Sequence, residues 1–142
     1  DLAMTGAIDQ VGNILPIGAV TEKIEGFFDT CRDAGLSGSQ GVIVPERNVG
    51  DLMLREDVVE ACREGHFRVY AVDGILQAVG IMTGRPPGRR GPDGAYPEDS
   101  VLGRAVAQAR RYWEMATQGG GSGRESGAPV EEEDEDAGEE TA

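Results

Sequence analysis

Lysine is almost missing from this chain of 142 residues: Lys23 stands alone against twelve arginines. Histidine is equally scarce, and His66, next to Gly65 at a predicted strand start, has no nearby cysteine or second histidine with which to share a metal. Only two cysteines occur, Cys31 and Cys62, in separate predicted helices and without paired spacing. That excludes a disulfide framework or a zinc site and implies reduced, half-buried thiols in a cytosolic protein. No apolar run approaches the roughly 20 residues of a membrane span, and no charged-then-apolar leader opens the chain, so a cytoplasmic protein is expected. Phosphate-cradling glycine motifs are absent too, and any ATP site belongs elsewhere.

Positive charge is also in short supply, with a formal net charge of -13. The deficit is uneven: residues 119–142 carry nine acids against Arg124, leaving the remainder only mildly acidic. A body of that kind lacks the basic face that neutralises phosphates, which argues against nucleic acid as a partner. The chain begins at Asp1 without an initiator methionine, and Leu2 to Gly6 reads as the middle of a strand, so a fragment or processed chain is expected.

What the chain does contain is a regular alternation of strand and helix patterns. Residues 2–17 alternate apolar and polar positions around Thr5-Gly6 and Gly12-Asn13, predicting a hairpin or two short strands. From Ala19 to Ala34, Val20, Ile24, Phe27, Phe28 and Cys31 recur at helical spacing until Gly35. Gly41 to Pro45 is continuously apolar, as in a strand buried on both faces. Asn48 is placed to cap a helix through Leu52-Met53-Leu54, a further helix runs near Val58 to Arg63, Phe67 to Val72 reads as a strand, and Asp73 can cap a helix ending at Gly84. The order predicts an α+β, layered α/β domain over residues 1–84. Residues 85–100 are rich in proline, glycine and arginine and predict a loop. Residues 101–117 return to a helical pattern with Val106, Trp113 and Met115 as anchors, and 118–142 form a Gly-rich, acidic stretch expected to be disordered.

Where arginine serves every other cationic position, a sole lysine marks a place where a titratable amine has a use, because a guanidinium does not give up its proton. Lys23 lies three residues after Val20 and four before Phe27, which sets it in the apolar stripe of the first helix. A lysine there is partly desolvated, and desolvation lowers the amine pKa toward that of a general base. Two other readings stand beside this one. A coding bias against lysine leaves one by chance, or the methylenes cover apolar surface while the ammonium reaches water.

The segments Ala3-Met4-Thr5-Gly6, Pro16-Ile17-Gly18-Ala19-Val20-Thr21-Glu22-Lys23 and Gly41-Val42-Ile43-Val44-Pro45 resemble, in order and spacing, the second half of the Lon peptidase domain. The resemblance implies an ATP-dependent serine endopeptidase in which Lys23 is the general base of a Ser–Lys dyad and Thr5 helps orient that lysine. It also implies protein substrates, a homo-oligomeric ring, and ATP with magnesium in a separate ATPase module. Gly26-Phe27-Phe28-Asp29, Leu52-Met53-Leu54 and the stretch from Asp93-Gly94 to Ser100-Val101 look more like a LonB-like bacterial branch. Two positions depart from the family pattern: Ala19 replaces a glycine, a change a helix start is expected to tolerate, and Ala7 replaces a frequent acid.

The family's nucleophile stands in a Gly-Pro-Ser-Ala-Gly-like turn ahead of the lysine, and no serine precedes Ser37 here. Ser37 and Ser39 read as turn formers, and Ser100, Ser122 and Ser126 belong to loop and tail. The serine is therefore expected upstream of this chain, which alone should be inert. The alternative is a non-catalytic interaction domain that kept a Lon-like fold and lost its serine. Arg85, Arg89 and Arg90 read as a solvated loop able to meet an acidic partner or the acidic tail, and the Glu131 to Glu140 block lacks calcium-loop spacing.

Overall fold

The computed structural model describes residues 1–119; of the stretch expected to be disordered, 118–142, residues 118 and 119 end a helix and the rest lies outside the described residues. Asp1–Ala105 form one compact unit, and α4 continues beyond it into a second. Five strands, β1 (Leu2–Met4), β2 (Ala7–Ile8), β3 (Ile14–Leu15), β4 (Gly41–Pro45) and β5 (Arg68–Val72), alternate with α1 (Val20–Ala34), α2 (Glu56–Arg63), α3 (Ile75–Thr83) and α4 (Val101–Gly119). The fold is α+β, with a parallel sheet in the order β1-β4-β5 and a small antiparallel pair, β2 with β3.

β4 is buried at every position, as its unbroken apolar run requires of a central strand. Its side chains serve two cores. Val42 and Val44 pack with Val20, Ile24, Phe28 and Cys31 of α1, Val58 and Ala61 of α2, and Phe67. Ile43 faces the other way, onto Ile14, Val72 and Ala78. The Phe28 and Phe67 rings meet edge to face at 5.2 Å between centroids, a geometry that adds quadrupole attraction to their burial. Gly41 has no substitute at the strand start, because a Cβ would stand 2.5 Å from the Arg68 carbonyl oxygen.

α1 forms where its stripe predicts, with Glu22 in its first turn and Arg32 in its last, each favourable to the helix dipole. Gly35 ends it at φ 95°. An ion-pair network fastens it to α2: the Arg55 guanidinium binds Asp29 through two contacts of 2.6 and 3.0 Å and Asp57 through two of 3.1 Å, and Arg32 reaches both acids at 3.0 Å. These hydrogen bonds from Arg55 hold the Asp29 and Asp57 carboxyls below the ordinary value of 3.8, and the two acids keep Arg55 more firmly protonated than usual.

Four expectations need correction. Thr5-Gly6 is no hairpin turn: β1 pairs in parallel with β4, and the chain changes sheets before the β2–β3 hairpin closes at Gly12-Asn13. Asn48 caps no helix; it lies in a 3₁₀ segment, Glu46–Asp51, with its amide turned onto Ile17. Leu52-Met53-Leu54 is extended, with the leucines half-buried against the first core and Met53 86% exposed, a period of two that no helix produces. Asp73 offers α3 no side-chain cap; its own N–H donates to Gln77 Oε1 at 3.2 Å.

The 85–100 segment is irregular and is tied down by Val101 and Leu102 N–H groups donating to Pro86 and Pro87 carbonyls. Ser100, read above as a loop residue, is buried and bridges the start of α4: its hydroxyl donates to Pro97 O at 2.6 Å and accepts from Gly103 N–H at 3.0 Å. Val106, Trp113 and Met115, the expected anchors of α4, are all exposed.

Candidate functional site

The carboxyl end of the parallel sheet collects the residues singled out from the sequence. Thr5 follows β1 directly, and its N–H donates to the Ile43 carbonyl at 3.0 Å, extending the ladder one residue. α1 starts at the same edge and runs back toward the beginning of β4, so Lys23, in its first turn, belongs to the carboxyl end of the sheet. Thr5 is half-buried, and no hydrogen bond joins it to Lys23 among the described residues.

Lys23 is exposed. The buried stripe of α1 runs through Val20, Ile24, Phe28 and Cys31, and at 100° per residue Lys23 lies about a quarter turn from its centre. The burial expected from its neighbours Val20 and Phe27 is therefore not met among the described residues, since Phe27 itself only borders the core. Its one polar contact among the described residues is local: Nζ donates to the Gly18 carbonyl oxygen at 3.3 Å.

The turn before α1 is held in an unusual shape. Ala19 adopts φ 56° and ψ 38°, alone among the described non-glycine residues in having a positive φ. This corrects the expectation that alanine is well tolerated there: the left-handed region crowds a Cβ against the following carbonyl at a cost of about 1–2 kcal/mol. It also explains the glycine that the family pattern places at this position. The turn is pinned from across the fold by Asn48, whose side chain bonds both backbone groups of Ile17.

A cleft of about 620 Å³ opens at the same edge, lined by Asp9, Asn13, Glu46, Arg47 and Asp73 among others. Asp9 is kept below the ordinary carboxyl range by hydrogen bonds from the Asn13 side chain and backbone. A second depression of about 440 Å³ lies over the start of α1, bordered by Ile17 to Glu22, Asn48, Asp51 and Met53.

The serines among the described residues lie elsewhere. Ser37 and Ser39 sit beyond the far end of α1, at least about 17 Å of helix rise from Lys23, hydrogen-bonded to each other at 2.7 Å and to Gln40 and Asp1. Ser100 is engaged at both lone pair and proton in the cap of α4. His66 is exposed, with Nδ1 3.2 Å from Glu64 Oε2. No group of three or more metal-ligating side chains occurs among the described residues, and no described helix is long and apolar enough to cross a membrane.

The family profile of the Lon protease (S16) C-terminal proteolytic domain matches residues 1–81, and the chain belongs to that family. A putative Lon protease homolog of Haemophilus influenzae is 37% identical over 120 residues, covering 79% of this chain and 20% of the relative. One from Escherichia coli is 44% identical over 81 residues, covering 57% and 14%. The Lon protease of Anaeromyxobacter dehalogenans is 35% identical over 100 residues, covering 69% and 10%. The chain thus spans a fifth or less of the length of these relatives.

Proposed function

We propose that this chain is the C-terminal part of the proteolytic domain of an ATP-dependent serine endopeptidase, with Lys23 as general base and the serine upstream of residue 1. The observation that supports it is the position of Lys23: first turn of α1, at the carboxyl edge of the sheet, within the family match, with a side chain free to meet a neighbouring segment. A serine brought beside Nζ would also supply the burial that this segment lacks.

In that reaction the Lys23 amine takes the serine proton while Oγ bonds to the peptide carbonyl carbon, and the carbonyl π pair moves onto oxygen. Collapse of the tetrahedral adduct breaks the C–N bond, and the Lys23 ammonium returns the proton to the departing amine. Water then attacks the acyl ester, Lys23 accepts its proton, and serine leaves with that proton restored. Thr5 supports the orientation of the lysine. Protein substrates, a homo-oligomeric ring, a LonB-like subgroup, and ATP with magnesium in a separate module complete the proposal.

The test is Lys23→Arg in the intact protein. Arginine keeps the charge but accepts no proton, so casein hydrolysis should be lost while assembly and ATP hydrolysis persist. Substantial hydrolysis by the arginine variant removes Lys23 from the catalytic role. An intact protein inactive even with Lys23 present, and lacking an upstream serine, would favour the non-catalytic interaction domain instead.

A further inference from the structure

Asn48 is 4% exposed, on the 3₁₀ segment that leaves the fully buried strand β4. Its Oδ1 accepts the Ile17 N–H at 2.9 Å, and its Nδ2 donates to the Ile17 carbonyl at 3.0 Å. Ile17 lies between β3 and α1, where neither ladder nor helix provides partners for its backbone. A primary amide is the side chain that supplies one donor and one acceptor side by side, as a neighbouring strand would. One residue on, the Gly18 carbonyl receives Lys23 Nζ at 3.3 Å. Ala19 then closes the turn in its left-handed conformation and accepts the Lys23 N–H at 3.2 Å.

We infer that Asn48 is a positioning residue for the catalytic lysine, fixing the Ile17–Ala19 turn to β4 so that the Gly18 carbonyl holds the Lys23 amine in place. The inference rests on the reading of Lys23 as general base. An exposed lysine has four rotatable bonds and, among the described residues, one polar tether; that tether is only as fixed as the turn carrying it. With the Asn48 bonds gone, the Ile17 N–H and C=O turn to other partners, the turn shifts, and the amine loses its setting toward the serine. A displacement of about 1 Å at such a group costs on the order of 10²-fold in rate.

The test uses the intact protein and peptide hydrolysis, with Lys23→Arg in the same series. Asn48→Leu keeps the volume and removes both bonds; kcat should fall about 10- to 100-fold with KM little changed. Asn48→Asp discriminates further. As a carboxylate it accepts from Ile17 N–H but faces the Ile17 carbonyl with a second acceptor; as a neutral acid it can donate there and restore both bonds. Its kcat relative to the parent should therefore rise as pH falls, whereas the Asn48→Leu ratio stays flat. The charged groups around the position, Glu46, Arg47 and Asp51 on its own segment and Glu22 and Lys23 on α1, are common to parent and variant, so the ratio isolates position 48. Val58→Ala, in the core under α2, provides a matched loss of Tm away from the turn.

Parent-like kcat in Asn48→Leu, a pH-independent ratio in Asn48→Asp, or an equal loss of kcat in Val58→Ala at equal Tm would each overturn the inference. If Asn48→Leu does not fold, the pH dependence of Asn48→Asp decides alone. An inactive Lys23→Arg beside a fully active Asn48→Leu would remove the positioning role and leave the base intact. An active Lys23→Arg would remove the base itself.

Discussion

The backbone N–H of Lys23 donates to the carbonyl of Ala19 at 3.2 Å, so the helix carrying the lysine begins from a left-handed alanine. The Cβ of Ala19 is the source of strain at φ 56°, and glycine removes it. Ala19→Gly should therefore stabilise the protein by about 1 kcal/mol, less a few tenths for the added freedom of the unfolded chain. Denaturant midpoints of the two proteins check this; a lower midpoint for the glycine form would contradict the conformation of the turn.

The Arg55 network gives a pH signature. Asp29 and Asp57 titrate below 3.8 in the folded protein because Arg55 binds their ionised form, so their contribution is present above about 3.8 and is lost as pH falls through the lowered folded values. Asp29→Asn should be less stable than the parent at neutral pH, and the difference should shrink below pH 3.8. Urea unfolding at pH 7, 4 and 3 measures it, and the difference at pH 7 should also diminish in high salt.

Burial raises both thiol pKa values, that of Cys31 and that of Cys62. Neither is a thiolate at neutral pH, so a disulfide reagent should react slowly with the folded protein and rapidly once denaturant is added. Fast labelling of Cys31 in the native state would show that the α1 face is open.

Phe67 lies against both Phe27 and Phe28 at the centre of the first core. Phe67→Ala should cost about 3–5 kcal/mol, because the fixed helices α1 and α2 leave the vacated volume unfilled. Thermal unfolding checks it, and Phe67→Leu should recover much of the loss.

The 142-residue chain alone should hydrolyse neither casein nor short peptides, with or without ATP. Among the described residues Lys23 has only the Gly18 carbonyl as a polar contact, and the nearest serines in sequence, Ser37 and Ser39, are committed at the other end of α1. Serine-dependent turnover by the purified chain would contradict this.

Much of the framework is written in local pattern. The stripe of α1, its stop at Gly35, the doubly buried β4 and the family motifs around Lys23 depend on residues within a turn or two of one another, so periodicity and steric limits determine them. Leu52, Met53 and Leu54 are all apolar, so the triplet carries no alternation of its own, and packing alone left Met53 outside.

What the tertiary structure alone decided concerns the site. Whether Lys23 is covered depends on which neighbours complete its flank of α1, and a helix surface does not name its neighbours. The left-handed turn at Ala19 lies between β3 and α1, and no local pattern in the sequence marks it. Asn48 and Ile17, 31 residues apart, meet only because β4 delivers one to the edge where α1 begins. An amide reads the same as a helix cap or a cross-fold clasp until packing brings a backbone to it, and here packing brought Ile17.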